Sequence, residues 1–118
     1  MHELGVICKV IETVGEICDQ QNIPYVSQIT LEIGELSGIV PLYIENCFPA
    51  VTYNKERFKD TKLKIEVVEG NARCKECGTE FNVVKNEGYC PKCGSFEKDV
   101  LGGLDFIVKE IIVPEEEN

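Results

Sequence analysis

Cys74-Lys75-Glu76-Cys77-Gly78 and Cys90-Pro91-Lys92-Cys93-Gly94 are the two stretches that divide this chain. A two-residue gap lets both thiolates of a pair reach one ion. The glycine that follows frees the backbone to curl around the sulfurs. The two hooks stand 12 residues apart (78–89), a little tighter than the common four-cysteine metal pattern but of the same kind. Four thiolates around one ion leave no open position, so the site favours zinc and reads as structural. Rubredoxin-like iron carriers also use Cys-Pro-x-Cys-Gly knuckles. Such a carrier stands alone with aromatics packed around its metal. Here Phe81, Tyr89 and Phe96 are near in sequence, but most of the 118 residues would be unexplained.

Working outward, residues 62–69 alternate, with Leu63, Ile65 and Val67 on one side and Lys62, Lys64 and Glu66 on the other, as a half-buried strand does. After Gly102-Gly103, residues 104–113 (LDFIVKEIIV) read as another strand. It is apolar on both sides, which predicts a central place under helices. Nearer the start, residues 27–33 alternate as a strand, and 34–38 form a loop. Residues 3–21 carry Leu4, Ile7, Cys8, Ile11, Val14 and Cys18 at helical spacing. Asn22 to Pro24 stops that helix. A second helix begins at Pro41, sets Ile44, Cys47, Phe48 and Val51 on one face, and bends at Pro49. The fold class predicted is α/β: a small mixed sheet of about three strands packed by two helices, with an inserted four-cysteine zinc-ribbon-like module. Residues 1–69 plus 104–118 make the α/β domain, and 70–103 make the zinc-binding module. The closing Pro114-Glu115-Glu116-Glu117-Asn118 reads as a frayed acidic tail.

Charge narrows the partners. The formal net charge is −9, and an acidic chain is repelled by phosphate backbones. Residues 71–103 hold five cations and five acids, so the hooks carry no basic face for nucleic acid. No run reaches the roughly 18 apolar residues of a membrane span, and no basic, then apolar, leader opens the chain. These features point to a cytoplasmic protein without nucleic-acid or membrane partners. The remaining cysteines, Cys8, Cys18 and Cys47, read as small buried side chains in a reducing compartment. A nucleophilic thiol needs a base beside it, and the only histidine is His2, so an enzyme is not expected.

His2 has a chemistry of its own. A free terminal amine, the residue-2 amide nitrogen and the His2 imidazole close adjacent five- and six-membered chelate rings. Nickel(II) and copper(II) favour planar nitrogen donors of this kind. The Glu3 amide, the Glu3 carboxylate or a side chain from elsewhere would complete the set. An imidazole with an ordinary pKa of about 6.5 makes such a site labile to acid, which suits a carrier better than a catalyst. The competing reading is a zinc-ribbon adaptor that binds a protein and carries no second metal.

The start Met1-His2-Glu3, the segment Ile33-Gly34-Glu35-Leu36-Ser37-Gly38-Ile39-Val40-Pro41, the two hooks and the strand after Gly102-Gly103 together resemble the HypA/HybF family of hydrogenase maturation factors. The resemblance spans essentially the whole chain. It implies a nickel metallochaperone in which His2 binds nickel, with Glu3 contributing. Cys74, Cys77, Cys90 and Cys93 would hold structural zinc. It also implies two partners, the nickel-handling GTPase HypB and the large subunit of a [NiFe]-hydrogenase.

Overall fold

The computed structural model describes residues 3–114. In chain order its elements are helix α1 (Glu3–Gln20), strand β1 (Gln28–Gly34), helix α2 (Pro41–Thr52), a 3-10 turn (Glu56–Phe58), and strands β2 (Lys62–Val68), β3 (Asn71–Cys74), β4 (Glu80–Asn82), β5 (Lys98–Val100) and β6 (Phe106–Ile112). They form two compact units. The first takes the chain up to Glu32, then Val40–Glu66, then Ile107 onward; the second takes Ile33–Ile39 and Val67–Phe106. Among the described residues, no helix is long and apolar enough to cross a membrane.

In the first unit, α1 buries Ile7, Val10, Ile11, Val14 and Cys18. The buried stripe runs through Val10 instead of Cys8. Cys8 is exposed, Cys47 is half-buried, and Leu4 lies at the surface, so the expectation of three buried thiols holds only for Cys18. Burial raises the Cys18 thiol pKa. The C-terminal end of α1 is tied down by Arg57. Its Nε donates to Ile23 O at 3.1 Å, and its terminal nitrogens reach Gly15 O at 3.2 Å and Asp19 Oδ1 at 2.8 Å. Helix α2 starts with Pro41, whose missing N–H costs nothing at a first helical position. It continues through Pro49, and Thr52 Oγ1 donates to Phe48 O at 3.0 Å one turn on. Helices α1 and α2 pack together.

The strands β2, β1 and β6 form one sheet in that order. The sheet is mixed. Lys62 N donates to Ser27 O at one end and Glu35 N to Val68 O at the other, which makes β1 and β2 parallel with α2 in the crossover. Ser27 N to Ile112 O and Gly34 N to Asp105 O make β6 antiparallel to β1. The central strand is therefore β1, not the closing strand as its two-sided apolar pattern suggested. The buried residues bear this out: Ile29, Thr30, Leu31 and Ile33 of β1 are all buried, while Ile107 and Ile112 of β6 are 48% and 41% exposed. An edge strand tolerates scattered exposed apolar side chains, so composition alone did not fix its position. Val67, read as inward, is likewise exposed.

The second unit has its own sheet, with β3 between β4 and β5. Both pairings are antiparallel: Ala72 faces Phe81 on one side and Val100 on the other. Its small core is Ala72, Phe81 and two of the cysteines, Cys74 and Cys90. Residues 33–39 belong with this unit through a dense backbone junction. Gly103, at φ +87°, lies against Gly70 and Gly34, where an added Cβ would strike backbone atoms. Leu36 N donates to Gly103 O at 2.7 Å. The Glu35 carboxylate accepts from Gly70 N at 2.8 Å and from Asn82 Nδ2 at 2.9 Å.

Candidate metal centre

Each hook is a tight knuckle built the same way. Gly78 N donates to Cys74 O at 2.9 Å and Cys74 N to Thr79 O at 2.8 Å. In the second hook Gly94 N donates to Cys90 O at 2.8 Å and Cys90 N to Ser95 O at 2.9 Å. Both glycines adopt left-handed backbone, φ +76° at Gly78 and +78° at Gly94, with open space beside them. Only glycine takes that conformation without strain. Strand β3 delivers Cys74 at its end, and the chain after Tyr89 delivers the second hook.

The four sulfurs of Cys74, Cys77, Cys90 and Cys93 lie within 4.8 Å of one another. Cys74 Sγ is 3.5 Å from Cys93 Sγ, and Cys77 Sγ is 3.6 Å from Cys90 Sγ. A tetrahedral zinc site with zinc–sulfur bonds of ~2.3 Å has sulfur–sulfur edges of ~3.8 Å. The donor set and its spacing therefore fit zinc. Closed four-sulfur coordination would leave the ion no position for substrate.

The protonation of the cluster shows what an ion must overcome. The Thr79 hydroxyl, 3.2 Å away, and then the Thr79 amide hold the Cys77 thiol down to about 6. The Ser95 amide also lowers Cys93, but proton sharing with Cys74 together with burial pushes Cys93 up to about 12. Cys77 and Cys93 therefore do not ionise together on their own. A bound dication reverses this, since it requires every sulfur as thiolate and releases their protons on binding. Thr79 was not among the residues read as functional. A signal for it exists, because a hydroxyl residue follows each hook at the same offset, Cys77-Gly78-Thr79 and Cys93-Gly94-Ser95.

The nickel residues expected at the other end are not treated alike. His2, with Met1, lies outside the described residues, as does the acidic tail 115–118. Glu3 is described. It opens α1, and its Oε2 accepts the Val40 N–H at 3.3 Å, just before α2. Val40 has no side-chain cap of its own. A carboxylate there complements the positive end of the α2 dipole.

Known proteins extend the picture. A family model described as HypA, hydrogenase/urease nickel incorporation, metallochaperone, matches residues 1–113. The hydrogenase maturation factor HypA of Geotalea uraniireducens is 40% identical over 114 residues, covering 96% of this chain and 99% of that one. That of Trichodesmium erythraeum is 36% identical over 115 residues, covering 98% and 97%. Two solution structures share the fold. The Ni metallochaperone HypA from Helicobacter pylori has a TM-score of 0.67 at 22% identity and covers 98% of this chain and 100% of that one. A second HypA structure has a TM-score of 0.69 at 22% identity and covers 98% of each. Matched along nearly its whole length, the chain belongs to the HypA family of nickel metallochaperones that serve hydrogenase maturation.

Proposed function

We propose that this protein binds Ni(II) at its N-terminus through His2 and delivers it during maturation of a [NiFe]-hydrogenase, while Cys74, Cys77, Cys90 and Cys93 hold a structural zinc. The observation that carries the reading is the family match over residues 1–113, in a chain whose only histidine is His2. The terminal amine, the residue-2 amide and the imidazole supply planar nitrogen donors. Glu3 completes or supports the set from the first position of α1. Zinc, when bound, supplies cross-linking of the two hooks and no chemistry on a substrate. The protein works as a non-enzymatic carrier in the cytoplasm. Its partners are a HypB-type GTPase, which hands on nickel, and the hydrogenase large subunit, which receives it.

The test is a titration of Ni(II) into the untagged, zinc-loaded chain and into His2→Ala. Nickel affinity in the variant is expected to fall by at least about tenfold, the equivalent of ~1.4 kcal/mol, with zinc content unchanged. Equal affinity in both removes the reading. It leaves the zinc-ribbon adaptor, which carries a single metal per chain.

A further inference from the structure

The four cysteines differ in how solvent reaches them, and the difference follows a pattern. Cys74 and Cys90, the first cysteine of each hook, are buried at 2% and 3% exposure as part of the second unit's core. Cys77 and Cys93, the second of each hook, are exposed. The close sulfur contacts cross between hooks. Exposed Cys77 lies 3.6 Å from buried Cys90, and exposed Cys93 lies 3.5 Å from buried Cys74. Each accessible thiolate therefore has a sheltered thiolate of the opposite hook at its back.

We propose that this cluster is a site of oxidative modification by hydroperoxides, and that it closes into two cross-hook disulfides, Cys77–Cys90 and Cys74–Cys93, with release of zinc. The proposal rests on the reading that the cysteines hold zinc. The exposed Cys77 thiolate attacks the terminal oxygen of a hydroperoxide. The O–O bond breaks, the alcohol or water leaves after taking a proton, and Cys77 becomes a sulfenic acid. The Cys90 thiolate then attacks that sulfur and expels hydroxide, giving the disulfide. Cys93 and Cys74 repeat the sequence. Each pair of thiolates gives up two electrons as its disulfide forms, and each hydroperoxide accepts two. Two hydroperoxides are thus consumed per chain, and the ion loses all four donors.

The geometry sets the order as well as the pairing. Reaction begins at the outer sulfurs, because the inner ones are covered by Ala72 and Phe81. It finishes across the hooks, because Cys77 and Cys93 lie 3.6 Å and 3.5 Å from the inner sulfur of the other knuckle, within a cluster whose sulfurs spread over up to 4.8 Å. Both disulfides would hold the knuckles together after the metal has gone, so the second unit would keep its two hooks joined. The oxidised state would then be reversible by thiol reductants, with zinc rebinding on reduction.

The sequence makes the pairing readable. Trypsin cleaves after Arg73, Lys75, Lys85, Lys92 and Lys98, which places the four cysteines in four separate peptides. The zinc-loaded chain, carrying Cys8→Ser to remove the exposed helical thiol, is treated with hydrogen peroxide, blocked with N-ethylmaleimide and digested without reductant. Zinc release is followed in parallel with a chromogenic chelator. The expected result is stoichiometric release of zinc. Peptide 76–85 should be joined to 86–92, and the dipeptide 74–75 to 93–98. Dimedone added during oxidation should label Cys77 and Cys93 and leave Cys74 and Cys90 unlabelled. In Cys90→Ser, the Cys77 sulfenic acid should accumulate while Cys74–Cys93 still forms. Should that variant fail to fold, the map of the chain with all four ligands decides alone. Within-hook links, first labelling at Cys74 or Cys90, or oxidation that leaves zinc bound would each overturn the proposal. A chain that holds no zinc before treatment would instead overturn the reading on which it rests.

Discussion

The two units of this protein are stabilised by different physics. The first is held by packing: Ile7, Ile11 and Val14 of α1, Ile29 and Leu31 of β1 and Ile44 of α2 are all but fully buried. The second has strands of four, three and three residues and a core of Ala72, Phe81 and two cysteines. That is too little apolar surface to offset the entropy of ordering its chain. Metal ligation at the proposed zinc site would supply the difference. The donors follow the same contrast. The four sulfurs come from two hooks separated by residues 78–89, and the hooks meet only because the fold brings them together. The proposed nickel donors are consecutive along the chain and need no fold to be neighbours. A preorganised site suits a resident ion, and a local chelate suits a cargo.

The largest expected effect is removal of zinc. Chelation should collapse hydrogen-exchange protection throughout β3, β4 and β5 while the α1 and α2 amides stay protected. The binding energy of a four-ligand zinc site, about 10–16 kcal/mol in small metal-dependent folds, is folding energy there. Equal protection before and after chelation would break the contrast between the units. Next in size, Leu31→Ala should destabilise the first unit by roughly 2–5 kcal/mol through the cavity it leaves, read as a lower denaturant midpoint in helical circular dichroism. Zinc content should be unchanged. Loss of zinc in that variant would show that the units are not separate in energy.

The smallest effect concerns Glu35. The Gly70 N–H, and then the Asn82 side-chain amide, hold its carboxyl below the ordinary value of 4.5. A carboxylate lowered by folding stabilises the protein at neutral pH. That contribution is lost as pH falls below 4.5 through the lower folded value. Glu35→Gln keeps an acceptor oxygen and removes the titration, so it should be slightly less stable at neutral pH and lose less on acidification. Parallel acid-unfolding curves for the two proteins would contradict this role.

The two helices, the long strands and the gathering of Cys74, Cys77, Cys90 and Cys93 were legible in the sequence, since each rests on a local pattern: helical spacing, alternation or a paired hook. What was missed depends on partners distant in the chain. The closing strand reads as central because Ile107 and Ile112 are apolar, yet the place beside β1 that α2 and β2 leave free is an edge. The second sheet escaped because its strands are too short for alternation to show. The place of residues 33–39 in the second unit rests on the junction of Gly34, Gly70 and Gly103, and on Glu35 reaching Gly70 and Asn82. No local pattern encodes those contacts. Glu3 was read as a nickel donor, and its contact with the Val40 amide, 37 residues on, adds a link to the start of α2.

The proposed division of labour gives the resident ion to sulfur and the cargo to the N-terminus. X-ray absorption at the zinc and nickel edges of the doubly loaded, untagged chain tests it most directly. The expected result is a zinc shell of sulfur alone, at ~2.3 Å, and a nickel shell of nitrogen and oxygen with imidazole scattering that disappears in His2→Ala. Sulfur in the nickel shell, or a nickel spectrum unchanged by His2→Ala, would contradict it.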